Sequence, residues 1–131
     1  MRREFRAAYT SDIKNVALAR QSIAAFAVEC GFPEEDVSDI RLAAGEALSN
    51  AVEHGSPALD RTIVVECRFH DGELEIEIQD NGKGFVEPTV RSYVEPDDRG
   101  RGFGIFLMRR LMDEVAFERN GTKVRLVRRR A

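Results

Sequence analysis

Residues 72–85 read GELEIEIQDNGKGF, and the fold turns on how this stretch is divided. Leu74, Ile76 and Ile78 alternate with Glu73, Glu75, Glu77 and Gln79, the period-two pattern of a strand with one buried face and one solvated face. Asp80 closes the run, and Gly82 and Gly84 follow with one residue between them. Asn-Gly is a common two-residue hairpin signal, so Asn81-Gly82 could turn the chain straight back into a neighbouring strand. The other division ends the strand at Asp80 and leaves a backbone that a ligand can approach. The rest of the chain has to decide.

Upstream, RTIVVECRF (61–69) has the same period and joins ELEIEIQD (73–80) through the turn HDG (70–72), a β-hairpin. Before it, EFRAAY (4–9) reads as a short first strand, with Thr10 or Ser11 as N-cap of a helix carrying Ile13, Val16, Ile23, Phe26 and Cys30. Gly31 ends that helix. Pro33 opens the next, with Glu34, Glu35 and Asp36 in the first turn, where the helix dipole favours anions. Val37, Ile40, Ala44, Ala47, Leu48 and Ala51 form its apolar face, and it stops near Gly55. Downstream, residues 82–101 have no periodicity and contain Pro88 and Pro96, a length of loop that usually carries function. GFGIFLMRRLMDEV (102–115) is a third helix, and VAFER with TKVRLVR forms a second hairpin around Asn120-Gly121. The pattern predicts an α+β fold, an α/β sandwich with a mixed, mostly antiparallel sheet and three main helices on one face, as one domain over 1–131.

Composition narrows the function classes. The 131 residues are 43% apolar and 33% charged, with 20 basic against 23 acidic residues and a net charge of -3, which is no footprint for nucleic acid. No apolar run reaches the length of a membrane span and MRREFRAAYT lacks a signal-peptide core, so a cytoplasmic location without membrane contact is expected. Cys30 and Cys67 lack metal or redox spacing and read as reduced structural thiols. Arg128, Arg129 and Arg130 read as a solvated tail.

Two further segments carry polar groups where chemistry is feasible. In GEALSNAVEHG (45–55), Glu46 and Asn50 lie four residues apart, so at about 100° per residue they share one side of the helix at the margin of its apolar stripe. On the helix alone the better reading is a solvated carboxylate and a helix-interior amide. In GRGFG (100–104), three alternating glycines precede a helix, offering backbone N–H groups and a positive dipole end to an anion. The spacing is neither that of a P-loop nor that of a Rossmann fingerprint.

Glu46-x-x-x-Asn50, Asp80-x-Gly82-x-Gly84 and Gly100-x-Gly102-x-Gly104, in this order, resemble the Bergerat-fold (GHKL) ATP-binding superfamily, and within it the anti-sigma-factor serine/threonine kinases. The blocks EALSNAVEHG, DNGKGF, RGRGFGIFLMRRLMDEV and GTKVRLV extend the likeness over nearly the whole chain. Any one is common; the four in register are specific.

The resemblance implies roles residue by residue. Asn50 would coordinate Mg²⁺ on the triphosphate, and Glu46 would be the base that accepts the proton of the attacking hydroxyl. Asp80 would accept from the adenine amino group, with Thr122 its partner at the base. Gly82 and Gly84 would let the backbone lie beside the nucleotide. Gly100, Arg101, Gly102, Phe103 and Gly104 would form the phosphate lid, with the rings of Phe85, Phe103 and Phe106 and the Met108 side chain expected in the core. His54 and His70 are expected at a helix end and in a solvated turn. The implied cofactors are ATP and Mg²⁺, and DNGKGF becomes the floor of an adenine site. The implied function is a kinase that sequesters a sigma factor and phosphorylates a STAS-domain antagonist (an anti-anti-sigma factor) on Ser or Thr, and a homodimer is compatible with it. An ATP-gated binding module without transfer stays open beside it. So does a detached histidine-kinase ATP-binding domain acting in trans, since no His precedes Glu46.

Overall fold

The computed structural model describes residues 2–53, 61–80 and 103–131, the side chains of Phe103 and Asn120 excepted. In chain order the elements are β1 (Arg2–Thr10), α1 (Ile13–Glu29), α2 (Glu34–Glu53), β2 (Thr62–His70), β3 (Glu73–Asp80), α3 (Phe103–Leu111), β4 (Glu114–Glu118) and β5 (Lys123–Arg129). The strands form one sheet in the order β1-β2-β3-β5-β4, and the four pairings are all antiparallel. The expected α+β sandwich is the observed architecture.

Alternation builds the two faces of the sheet. Ile63, Val65, Cys67 and Phe69 of β2, with Leu74, Ile76 and Ile78 of β3, are buried in one core with Ile23 and Phe26 of α1, Ile40 and Leu48 of α2, and Met108 of α3. Each fully buried side chain of this size contributes about 1.5–3 kcal/mol by leaving water. The Phe69 ring meets Phe32 edge-on at 5.9 Å. The other face carries charge: Arg68 bonds Glu75 at 2.7 Å, Glu66 at 3.0 Å and also Glu77, while Lys123 Nζ lies 2.8 Å from Glu77. The β2–β3 turn places Asp71 and Gly72 at φ 50° and 78°, both left-handed, as a two-residue hairpin of this hand requires.

Two local expectations are corrected. The N-cap of α1 is neither Thr10 nor Ser11 but Asp12, whose Oδ1 accepts from Lys14 N at 3.1 Å. A carboxylate placed nearer the first free amide displaces them; the Thr10 oxygens instead accept from Asn15 Nδ2. Arg128–Arg130 are no solvated tail. Arg128 shares the inward parity of Val124 and Leu126, donates to Leu111 O, and bonds Asp36 at 2.7 Å and Asp39 at 3.2 Å in the first turns of α2. Arg130 stacks over Phe69 at 5.1 Å and donates to Cys30 O beyond the end of α1. Unpaired helix carbonyls and an acidic first turn give these cations better partners than water does. β3 pairs with β2 and β5, while β4, the next described strand in sequence, pairs with β5. β3 and β4, successive among the described strands, are therefore not paired with each other, as the division that ends the strand at Asp80 expects.

Candidate functional site

α2 brings the first group of residues. Ala43, Ala44, Ala47, Leu48 and Ala51 are buried, and Glu46 and Asn50 sit half-buried at the margin of that stripe, one turn apart. α3 begins directly against Glu46. A Cβ placed on Gly104 would lie 2.5 Å from Glu46 Oε2, closer than heavy atoms approach without displacement. A side chain at position 104 would make the end of the flexible Glu46 side chain shift from this place against the first turn of α3.

The second group is at the end of β3. Asp80 has the parity of Leu74, Ile76 and Ile78, so its side chain turns towards the core, and the residue is 7% exposed. Its backbone N–H donates to Thr122 O at 2.8 Å, which ties the base of β5 to this point. The Thr122 hydroxyl donates to Arg119 O at 2.8 Å within the turn before β5. Burying a carboxylate alone is costly, and here Arg61 answers it. Arg61 Nη2 lies 3.3 Å from Asp80 Oδ1 and 3.3 Å from Ala51 O, with both side chains about 5% exposed. The same nitrogen thus links the β3 end to α2, at the residue after Asn50.

Sequence reading assigned Arg61 only to the start of a strand. Its signal was present: 61 shares parity with the buried positions 63, 65, 67 and 69, and an Arg at a core parity asks for a partner. Glu46 and Gly104 lie together, as do Asp80 and Thr122. Gly82, Gly84, Gly100, Arg101 and Gly102 lie outside the described residues, as do His54 and Phe85, and so does the Phe103 side chain. Met108 is fully buried in the core, and the half-buried Phe106 ring is covered by Arg110 at 5.9 Å. A cavity of about 460 Å³ between Arg2, Glu4, Arg68 and His70 belongs to the opposite, charged face of the sheet.

Among the described residues no group of three His, Cys, Asp or Glu side chains converges as a metal site. A single amide such as Asn50 suits Mg²⁺, which takes oxygen ligands and commonly completes its octahedron with phosphates and water. Burial and charge pattern around the two thiols also fit the expectation: Cys30 and Cys67 are free and buried, and burial pushes Cys67 up to about 12.

Residues 9–128 match the family of the histidine kinase-like ATPase domain. The chain belongs to that family. Among curated relatives it is 35% identical to the anti-sigma F factor of Clostridium botulinum (strain Eklund 17B / Type B), with 90% of this chain and 88% of that protein covered. It is 34% identical to the serine-protein kinase RsbW of Listeria monocytogenes (strain EGD-e), over 76% of this chain and 69% of the relative. A crystal structure of RsbU and RsbW domains from Mycobacterium tuberculosis superposes with a TM-score of 0.72 over 98% of this chain and 32% of that one, at 19% identity, a likeness of fold. A histidine kinase-like ATPase domain is thus the frame for Glu46, Asn50 and Asp80.

Proposed function

We propose that this histidine kinase-like ATPase domain, acting as one domain over 1–131, is an ATP- and Mg²⁺-dependent serine/threonine protein kinase and an anti-sigma factor. It holds a sigma factor and phosphorylates a STAS-domain antagonist. The observation that carries the reading is Glu46: a half-buried carboxylate against the start of α3, in a chain similar over most of its length to an anti-sigma F factor and a serine-protein kinase. A domain that only bound nucleotide would have no chemical use for that carboxylate.

In this reading Asp80 accepts from the adenine amino group, Thr122 flanks the base, and Asn50 ligates the metal. Gly82 and Gly84 lie beside the nucleotide, and Gly100, Arg101, Gly102, Phe103 and Gly104 surround the phosphates. Mg²⁺, when bound, neutralises charge on the triphosphate. Glu46 accepts the proton of the acceptor hydroxyl as its oxygen bonds the γ-phosphorus and ADP leaves. Such transfer depends mostly on positioning and electrostatics, so few side chains suffice. The reading includes a cytoplasmic location and is compatible with a homodimer. No described helix is long and apolar enough to cross a membrane.

The test is capture from host lysate with Mg-ATP and with Mg-ADP, reading bound proteins and phosphosites by mass spectrometry. A sigma factor and a small protein newly phosphorylated on Ser or Thr are expected. Glu46→Gln is expected to bind ATP while losing about 10²–10⁴ in transfer rate. Nucleotide-dependent capture with no phosphorylated partner would replace the kinase with an ATP-gated binding module. Phosphate on a partner histidine would replace it with a histidine kinase domain acting in trans.

A further inference from the structure

Arg61 and Asp80 are the buried charged residues among those described. Arg61 enters from the residue before β2; its carbonyl accepts from Ser11 N at 2.9 Å, so its backbone is fixed by the junction between β1 and α1. Its guanidinium then spans two elements, Ala51 O on α2 and Asp80 Oδ1 on β3. A brace between a helix carbonyl and a strand end needs only a neutral donor, and apolar packing would be cheaper than burying two charges. What a guanidinium adds is a permanent counter-charge and a fixed direction on one carboxylate oxygen. The 3.3 Å separation is longer than the roughly 2.7–2.9 Å of a tight charge-assisted bond. A carboxylate has about four lone-pair sites, so this contact orients it without exhausting its capacity to accept.

We propose that Arg61 is a positioning residue for base recognition: it holds the Asp80 carboxylate in the orientation that accepts from the 6-amino group of adenine, and thereby sets the preference for ATP. The inference rests on the reading of Asp80 as the base contact. A carboxylate so held meets the 6-carbonyl of guanine acceptor to acceptor, and meets an unsubstituted purine with an unanswered acceptor. Because Nη2 also bonds the carbonyl next to Asn50, the base end of the site is tied to the helix that carries the proposed metal ligand.

The experiment measures the affinity of the full chain for ATP, purine riboside triphosphate (which lacks the 6-amino group) and GTP, in wild type, Arg61→Met, Arg61→Lys and Asp80→Asn. Wild type should prefer ATP over the unsubstituted purine by roughly 10- to 100-fold, the worth of one hydrogen bond to a charged group. Asp80→Asn should abolish that ratio. Arg61→Met should shrink it about as far, and Arg61→Lys, which keeps the charge but not the fixed fork, should shrink it less. A purely structural Arg61 predicts the opposite: all three affinities fall together in Arg61→Met and the ratio stays at its wild-type value, which overturns the inference while the Asp80 reading stands. A wild type that does not discriminate between ATP and the unsubstituted purine removes the Asp80 reading and the inference with it. Should Arg61→Met fail to fold, Arg61→Lys decides, an altered ratio supporting the proposal and an unaltered one ending it.

Discussion

On the outer face of the sheet, Glu66, Glu75 and Glu77 surround Arg68, and Lys123 and Arg125 extend the lattice. On the inner face, Asp80 meets Arg61 among aliphatic side chains, each about 5% exposed. Both regions are salt bridges by geometry, yet they stand in different solvents. Outside, the side chains are partly exposed, 16% for Glu77 and 36% for Arg68, and share several partners, so no one pair carries the whole interaction. Inside, desolvation is paid by both members, and a fold gains little from such a pair over hydrocarbon. A charge retained at an inner position therefore points to a ligand more than to stability.

Breaking the inner pair should produce the largest stability change. Asp80→Ala removes the carboxylate that faces the buried Arg61 guanidinium, and about 3–5 kcal/mol should be lost in urea unfolding, little altered by added salt. A loss under about 1 kcal/mol would mean that water reaches Arg61 and that the inner pair behaves like an outer one. Arg128→Ala is intermediate: it removes bonds to Asp36, Asp39 and Leu111 O, and a loss of roughly 1.5–3 kcal/mol is expected.

Glu77→Gln, on the outer face, should cost about 1 kcal/mol, and that cost should shrink at high salt. Its signature is in pH. Burial pushes the Glu77 carboxyl up, but the Lys123 hydrogen bond and the charges of Arg68 and Lys123 outweigh it, and the net shift is downward from the usual 4.5. A lowered folded pKa contributes stability that is complete above the ordinary carboxylate value and is lost as pH falls through the lowered one. Glu77→Gln should accordingly lower stability at neutral pH and flatten the acid limb of a stability–pH profile, so that variant and wild type converge at low pH. The smallest effect is a null one: with Cys67 pushed up to about 12 by burial, native protein at neutral pH should resist thiol reagents until it unfolds.

Much of this was legible in the chain. Period-two alternation over 61–80 defined the central hairpin and its two faces, because a half-buried strand has no other way to satisfy both solvents. Glu46 and Asn50 were placed by helix geometry, and Asp80 by its position at a strand end. Arg61 escaped, although 61 and 80 both fall on core parities at the same end of the hairpin, because period counting scores apolar residues and passes over charges. Arg128 escaped for the same reason: three consecutive arginines read as a tail, yet strand parity turns the first inward. The close approach of Gly104 to Glu46 had no signal beyond the glycine itself, since contact between two helices distant in sequence is set by tertiary packing.

The strand order β1-β2-β3-β5-β4 has a consequence for biosynthesis. β5 follows every other described element in the chain, yet it fills an interior lane of the sheet. While a ribosome is still making residues 123–129, β3 has one unpaired edge and β4 has no sheet to join. The nascent domain therefore waits with an open strand edge beside the apolar side chains of β3, the condition in which chains pair wrongly or recruit chaperones. A premature stop just before β5 removes a keystone rather than a fringe, and its product should be cleared by proteolysis instead of surviving as a weakened regulator.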